Sequence, residues 1–226
     1  MPKVPKKLDE IEGIKTRIID HALGILTVEG YENLSMRKLA EKIGVSPKTL
    51  YNYFQSKDEI YLHLIDTGFT ALKNHILNAI KDVEDPLEKA RGVCKAYLMF
   101  GLKNPHYYNI MYNMSLPKHD AFIGTSLEKL ADIPFNKSER LRELAIGIIY
   151  DALKIKGDFP QKVAEIKMFH IWASLHGAVS IYVFGTSMLD WLDTDEMALD
   201  AFVEECIKSL YCDCCIKSLV DQSPGA

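Results

Sequence analysis

Between Ser46 and Lys57 the chain carries Lys48, Thr49, Tyr51, Asn52 and Tyr53 and not one acid. Leu50 and Phe54, four apart, share one face of a short helix and are its buried side, which leaves the other five facing outward. An ordinary surface helix presents Glu and Lys to water. This one presents a cation, a hydroxyl, an amide and two phenols, groups suited to phosphate oxygens and to base edges in a major groove. Arg37 and Lys57 bracket the set as phosphate anchors, Tyr53 suits either kind of contact, and Pro47 stands at the mouth of the helix. The chemistry implied is non-covalent recognition of double-stranded nucleic acid.

Those side chains need a scaffold, and the residues before them supply one. Ser35 is a good N-cap, because its hydroxyl accepts from an unpaired N–H of the first turn. Leu39, Ala40 and Ile43 then recur at helical spacing. Gly44 ends that helix, since glycine takes the left-handed conformation at little cost, and Val45 plugs the turn. Ser46-Pro47 restarts the chain with a capping hydroxyl and a proline whose missing N–H is not needed there. A second helix of two turns, Ser46 to Phe54, follows. From Ser35 to Lys57 the charges are Arg37, Lys38, Lys42, Lys48 and Lys57 against Glu41, +4 in 23 residues, so the remainder holds −8 of the chain's net −4. That asymmetry, rather than the overall charge, is the electrostatic footprint of nucleic-acid binding.

Catalysis has no comparable set. The chain holds no glycine-rich phosphate loop, no Gly-x-Ser-x-Gly and no His-Glu-x-x-His, and the acids Asp190, Asp193, Asp195, Glu196 and Asp200 suit a helix N-terminus. An enzyme is not expected, nor a cofactor. Cys206, Cys212, Cys214 and Cys215 raise the alternative of a regulator that senses thiol oxidation or a soft metal, but only Cys212 and Cys215 have paired metal-ligand spacing. His176 has no second His or Cys at ligand spacing on its helix, so a metal is not expected there either.

The run GYENLSMRKLAEKIGVSPKTLYNYFQSKDEIYLHLI, Gly30 to Ile65, resembles the DNA-binding domain of the TetR family of bacterial one-component repressors. The resemblance joins Gly30, Ser35, Arg37, the Leu39-Ala40 pair, Gly44-Val45-Ser46, Thr49-Leu50-Tyr51, Tyr53-Phe54 and Lys57 across three helices. Trp172, His176 and Gly177 also resemble a W-x-x-x-H-G pattern from the C-terminal halves of one TetR subgroup, as does His106-Tyr-Tyr-Asn109 with Met111 and Tyr112. The family implies an all-α fold: a three-helix helix-turn-helix DNA-binding domain, then a helical ligand-binding and dimerisation domain. It implies a homodimer on a palindromic double-stranded operator and a small-molecule effector that releases it. A dimeric DNA-binding protein with no effector is the other reading.

The rest of the chain fits that frame. At 226 residues, 48% hydrophobic, it can bury a substantial core. Residues 1–8 read as a basic arm and 9–56 as the DNA-binding domain, opened by a helix striped with Ile11, Ile14, Ile18, Ala22 and Ile25. Ser56 and Glu59 form a capping box that starts a connecting helix, within 57–83 and reaching Ile80. Residues 84–211 form the rear domain, and 212–226 a tail. Rear helices are expected from Pro86 to Leu102, Pro105 to Met114, Asn136 to Lys156, Gln161 to Gly185 and Thr194 to Tyr211. The ill-defined segment from Leu116 to Pro134 is helical at most near Phe122–Ala131. Tyr97, Phe100, Tyr107, Tyr108, Met111 and Tyr112, with Trp172 and His176 four apart, are the candidate lining of an apolar or aromatic ligand site. Ala173, Gly177 and Ile181, with Phe202 and Cys206 on the last helix, are the candidate dimer interface. Met168 to Leu189 is 22 residues without a charge, but its two histidines, serines and glycines fit a buried helix better than a membrane span. With no secretory signal pattern and an odd five cysteines, a reducing cytoplasm is the expected compartment.

Overall fold

The computed structural model describes residues 8–112, 116–183 and 195–211. Among them are nine α-helices and three short 3-10 turns, and no strand. Residues 1–7 of the expected basic arm at 1–8, Met114, residues 184–189 of the uncharged run, the following 190–194 with Asp190 and Asp193, and the tail with Cys212, Cys214 and Cys215 lie outside the described residues, while Leu8 begins the first helix.

The chain forms two compact units, one of residues 1–69 and 106–136, the other of 70–105 and 137–226. In the first, α1 (Leu8–Glu29) ends at Gly30, whose φ of 83° turns the chain into a 3-10 turn at Tyr31–Asn33. α2 (Met36–Ile43) and α3 (Pro47–Tyr51) follow, then the first half of α4 (Lys57–Ile80). Residues 106–136 join this unit although they come after α4 in sequence, and so bring α6 (Pro105–Tyr112) and the first part of α7 (Glu128–Lys154) with them. Ile18, Ala22, Ile25, Leu39, Leu50, Phe54, Ile60, Leu64, Ile110 and Phe122 make one continuous apolar core. Tyr61 is fully buried there with its hydroxyl donating to the Pro117 carbonyl at 2.9 Å.

In the second unit α5 (Pro86–Lys103) packs against α8 (Gln161–Val183) and α9 (Glu196–Lys208). Asp85 caps α5 by accepting from Glu88 N at 2.8 Å, the proline standing first in the helix as expected. Arg91 grips Glu204 of α9 through Nε and Nη2, at 2.5 and 3.2 Å, and Lys95 reaches Asp200 at 2.8 Å. Lys167 is buried on α8, and its ammonium donates to the Ser209 carbonyl at 2.5 Å, capping the end of α9. Among the described residues no helix is long and apolar enough to cross a membrane.

The structure corrects the expected elements in three places. α3 is five residues, not two turns; Tyr53 and Phe54 still bond back to the Leu50 carbonyl, at 2.9 and 3.2 Å, but as a turn. The segment expected to be helical from Phe122 is a 3-10 turn, His119–Phe122, followed by turns to Leu127. α7 begins at Glu128 and runs through Pro134 rather than starting after it. Proline removes one hydrogen bond and crowds the preceding turn, at about 3 kcal/mol. Ala131 and Pro134 are themselves buried, and that burial holds the helix across the break.

α4 and α6 approach closely within the first unit. A Cβ on Gly68 would meet Met111 Sδ at 2.6 Å and Tyr107 at 3.4 Å. A Gly68→Val variant should lose about 1–3 kcal/mol of stability from overpacking, read by chemical denaturation. Adding Met111→Ala should recover part of that loss, and native stability in Gly68→Val would show the contact to be slack.

Candidate nucleic-acid interface

The α2–α3 turn is built by local hydrogen bonds that the sequence specifies. Ser35 Oγ accepts from Lys38 N at 3.2 Å and opens α2. Gly44 closes it with φ 78°, a conformation that any side chain would strain, while Val45 N reaches back to the Ala40 carbonyl at 2.9 Å. Ser46 Oγ accepts from Thr49 N at 3.1 Å and opens α3, with Pro47 in the first turn. Leu50 is 0% and Phe54 1% exposed, so α3 is pinned from beneath.

That anchoring leaves the opposite face in solvent. Arg37, Pro47, Lys48, Asn52 and Tyr51 are exposed, Tyr51 by 54%. Thr49 is half-buried, and its hydroxyl lies 2.9 Å from Ser46 Oγ, so it is part of the cap as well as of the face. Tyr53 is half-buried against the core. The structure thus brings the expected residues of α3 onto one side. Lys38, counted in the local positive charge, is paired with Glu29. Lys57 begins α4; its ammonium donates to the Tyr31 carbonyl at 3.2 Å and lies 4.2 Å from the centre of the Tyr31 ring. The Tyr31 hydroxyl donates to Asp58 Oδ1. Burial first, then the hydrogen bond and charge of Asp58, push the Tyr31 phenol above its ordinary range, so it keeps its proton and donates. Sequence reading missed Tyr31, and the signal available for it was its place directly after the helix-ending Gly30.

In the second unit Tyr97, Trp172 and His176 come together. The Trp172 indole N–H donates to Tyr97 Oη at 3.2 Å, and Tyr97 Oη lies 3.4 Å from His176 Nδ1. The Trp172 and His176 rings stack 5.0 Å apart at 17°, and His176 Nε2 is 3.5 Å from Ser180 Oγ. Burial lowers the His176 pKa below its ordinary value, so the imidazole is neutral near pH 7. Phe100 is buried with its ring against His75. Tyr107, Tyr108, Met111 and Tyr112 belong to the first unit, where Tyr108 and Tyr112 lie 4.9 Å apart and Tyr112 meets Phe69 edge-on.

Of the interface candidates, Ala173 and Ile181 are exposed on α8, while Gly177 and Phe202 are half-buried. Cys206 instead turns inward and is 7% exposed. Sequence reading missed Ile166 and Phe169, which continue the Ala173 face backward at helical spacing; Phe169 is 61% exposed. Burial pushes the Cys94 thiol up to about 12 and that of Cys206 up to about 11, so neither forms the reactive thiolate at neutral pH. Among the described residues no group of His, Cys, Asp or Glu is placed to hold a metal.

Comparison with known proteins agrees with this geometry. The family model for bacterial regulatory proteins of the tetR family matches residues 18–64, and that for the tetracyclin repressor-like C-terminal domain matches residues 90–208. The HTH-type transcriptional regulator Mb1846 of Mycobacterium bovis is 21% identical over 217 residues, covering 88% of this chain and 93% of that protein. Nucleoid occlusion factor SlmA of Vibrio vulnificus is 33% identical over 90 residues, 40% of this chain and 46% of SlmA. The fatty acid degradation regulator FadR from Bacillus halodurans shares the fold at a TM-score of 0.62 and 18% identity, over 92% of this chain and 98% of that one.

The half-buried, neutral state of His176 carries a pH signature. Its folded pKa is depressed and its unfolded pKa is ordinary, so its stability contribution is full above about pH 6.5 and is lost as the pH falls toward the folded value. The melting temperature of the native protein should drop more between about pH 7 and 5 than that of His176→Gln. Equal drops would contradict the assignment. His63, also lowered by burial and lying edge-on to Phe54, should behave in the same sense in the first unit.

With a helix-turn-helix whose second helix, α3, presents no acid on its exposed face, and with family models matching both the head and most of the remaining chain, the protein belongs to the TetR family of DNA-binding transcriptional regulators.

Proposed function

We propose that the protein is a homodimeric repressor that holds two copies of α3 in successive major grooves of a palindromic operator and leaves it when a small, mostly apolar or aromatic ligand binds the rear unit. The observation that carries the DNA half is the exposed face of α3, free of acids and held from beneath by Leu50 and Phe54. Lys48, Thr49, Tyr51 and Asn52 face base edges and phosphates; Arg37, Tyr53 and Lys57 anchor phosphates, with Pro47 packed close to the backbone.

A second copy is favoured by the outer face of α8. Ile166, Phe169, Ala173 and Ile181 stand exposed along it, three, four and eight residues apart, and burying such a stripe against its two-fold mate is the usual outcome for an apolar face of this kind. Two heads on a symmetric pair suit half-sites about one helical turn, roughly 34 Å, apart. The ligand half rests on Tyr97, Trp172 and His176, an aromatic group with hydrogen-bonding tips in the second unit, and on Phe100, buried on the same helix as Tyr97. A ligand that binds more tightly to a state with altered head spacing lowers DNA affinity by that difference. Such a regulator works in the cytoplasm.

Three measurements test this. Duplexes selected for binding from a random pool should share a palindrome, and Lys48→Ala and Lys57→Ala should each lower the slope of log affinity against log salt by about 0.9. Native slopes in both variants would remove these lysines from the interface. Phe169→Glu should sediment as a monomer and bind the selected duplex more weakly; a variant that stays dimeric would move the dimer interface off this face.

A further inference from the structure

The α4 N-terminus poses an electrostatic problem. Lys57 is followed at once by Asp58 and Glu59, so a phosphate approaching the ammonium meets two carboxylates. Left to themselves, those acids would pair with Lys57 or repel the anion. The structure ties both to protein donors. Glu59 Oε2 accepts from Gln55 N at 2.5 Å while Ser56 Oγ accepts from Glu59 N at 3.1 Å, a capping box shifted by one residue, since the carboxylate reaches the N–H before Ser56 rather than that of Ser56 itself. Asp58 Oδ1 accepts a hydrogen bond from the Tyr31 hydroxyl.

Tyr31 also holds the lysine. The ring lies under the ammonium at 4.2 Å and the Tyr31 carbonyl accepts from it at 3.2 Å, which leaves the remaining ammonium protons for another acceptor. The Tyr31 ring is in turn fixed edge-on against the buried Tyr61, with centroids 5.1 Å apart, and its backbone by the turn after Gly30. A long, flexible side chain is thereby held in one place before any anion arrives, which removes part of its ordering cost on binding.

We infer that Tyr31 is a positioning residue for DNA binding: it withholds Asp58 from Lys57 and aims the Lys57 ammonium at a backbone phosphate beside the N-terminus of α4. This rests on the reading of Lys57 as a phosphate contact. Tyr31 touches no DNA in this role and carries no charge of its own, so its effect on salt dependence arises only through Lys57 and Asp58.

Fluorescence anisotropy on a mixed-sequence DNA duplex over a range of salt tests the assignment, with melting temperature recorded for each variant. Tyr31→Phe keeps the ring and loses only the hydroxyl. Asp58, released, pairs with Lys57, and the slope should fall by about 0.9, as in Lys57→Ala. Tyr31→Phe combined with Asp58→Asn should restore the native slope, because the freed partner is no longer an anion. Tyr31→Phe added to Lys57→Ala should cause no further fall. A native slope in Tyr31→Phe alongside a lowered one in Lys57→Ala overturns the role of Tyr31 alone. A fall that Asp58→Asn does not restore makes Tyr31 a packing residue only and overturns it as well. A native slope in Lys57→Ala overturns the phosphate contact on which the inference stands.

Discussion

Burial of Leu50 and Phe54 is the constraint on which the DNA-binding face depends. A helix of five residues has no stability of its own in water, because nucleation costs more than one turn of hydrogen bonds returns. α3 exists because these two side chains are withdrawn completely into the core shared by α1, α2 and α4, and because Ser46 caps its first turn. Burying a leucine and a phenylalanine contributes about 3–6 kcal/mol, against which the polar face of α3 contributes little to folding. Lys48, Tyr51 and Asn52 accordingly stand exposed. Thr49 is divided between capping and display, and Tyr53 packs against the core.

The second unit follows the same logic with larger elements. α5 is buried along Ala90, Cys94, Tyr97, Leu98 and Phe100, and ion pairs from Arg91 and Lys95 fasten α9 at its rim. Within that apolar setting Tyr97, Trp172 and His176 form a small polar group. An indole nitrogen can only donate, so Trp172 donates a hydrogen bond to Tyr97 Oη, and the neutral imidazole completes the chain. A group like this can distinguish ligands by one hydrogen bond while the stacked rings supply apolar contact. α8 has both faces apolar: Ile171, Leu175 and Val179 turn inward, and Phe169, Ala173 and Ile181 turn outward. That is why its sequence is so poor in charge.

The helix-turn-helix was legible in the sequence because each of its joints is a local signal. Ser35, Gly44 and Ser46-Pro47 act within their own turns, and the structure places them as the pattern requires. α4 was legible from end to end for the same reason, through Ser56 and Glu59. What was not legible depends on contacts distant in sequence. The passage of α7 through Pro134 rests on burial of Ala131 and Pro134, which no local rule reveals. The inward turn of Cys206 and the outward turn of Phe169 depend on which side of each helix meets α5, and an apolar stripe alone does not say which. The place of Tyr31 after Gly30 did not reveal its role, because its work is done through side chains 26 and 27 residues away.

The central claim is that α3 enters the major groove of duplex DNA. Guanine N7 lies in that groove, and its methylation by dimethyl sulfate reports directly on what covers it. On a duplex selected for binding, the protein should shield guanine N7 atoms in two symmetric clusters about one helical turn apart, and Lys48→Ala should expose them. Full occupancy of the duplex with every guanine N7 still reactive would contradict the account.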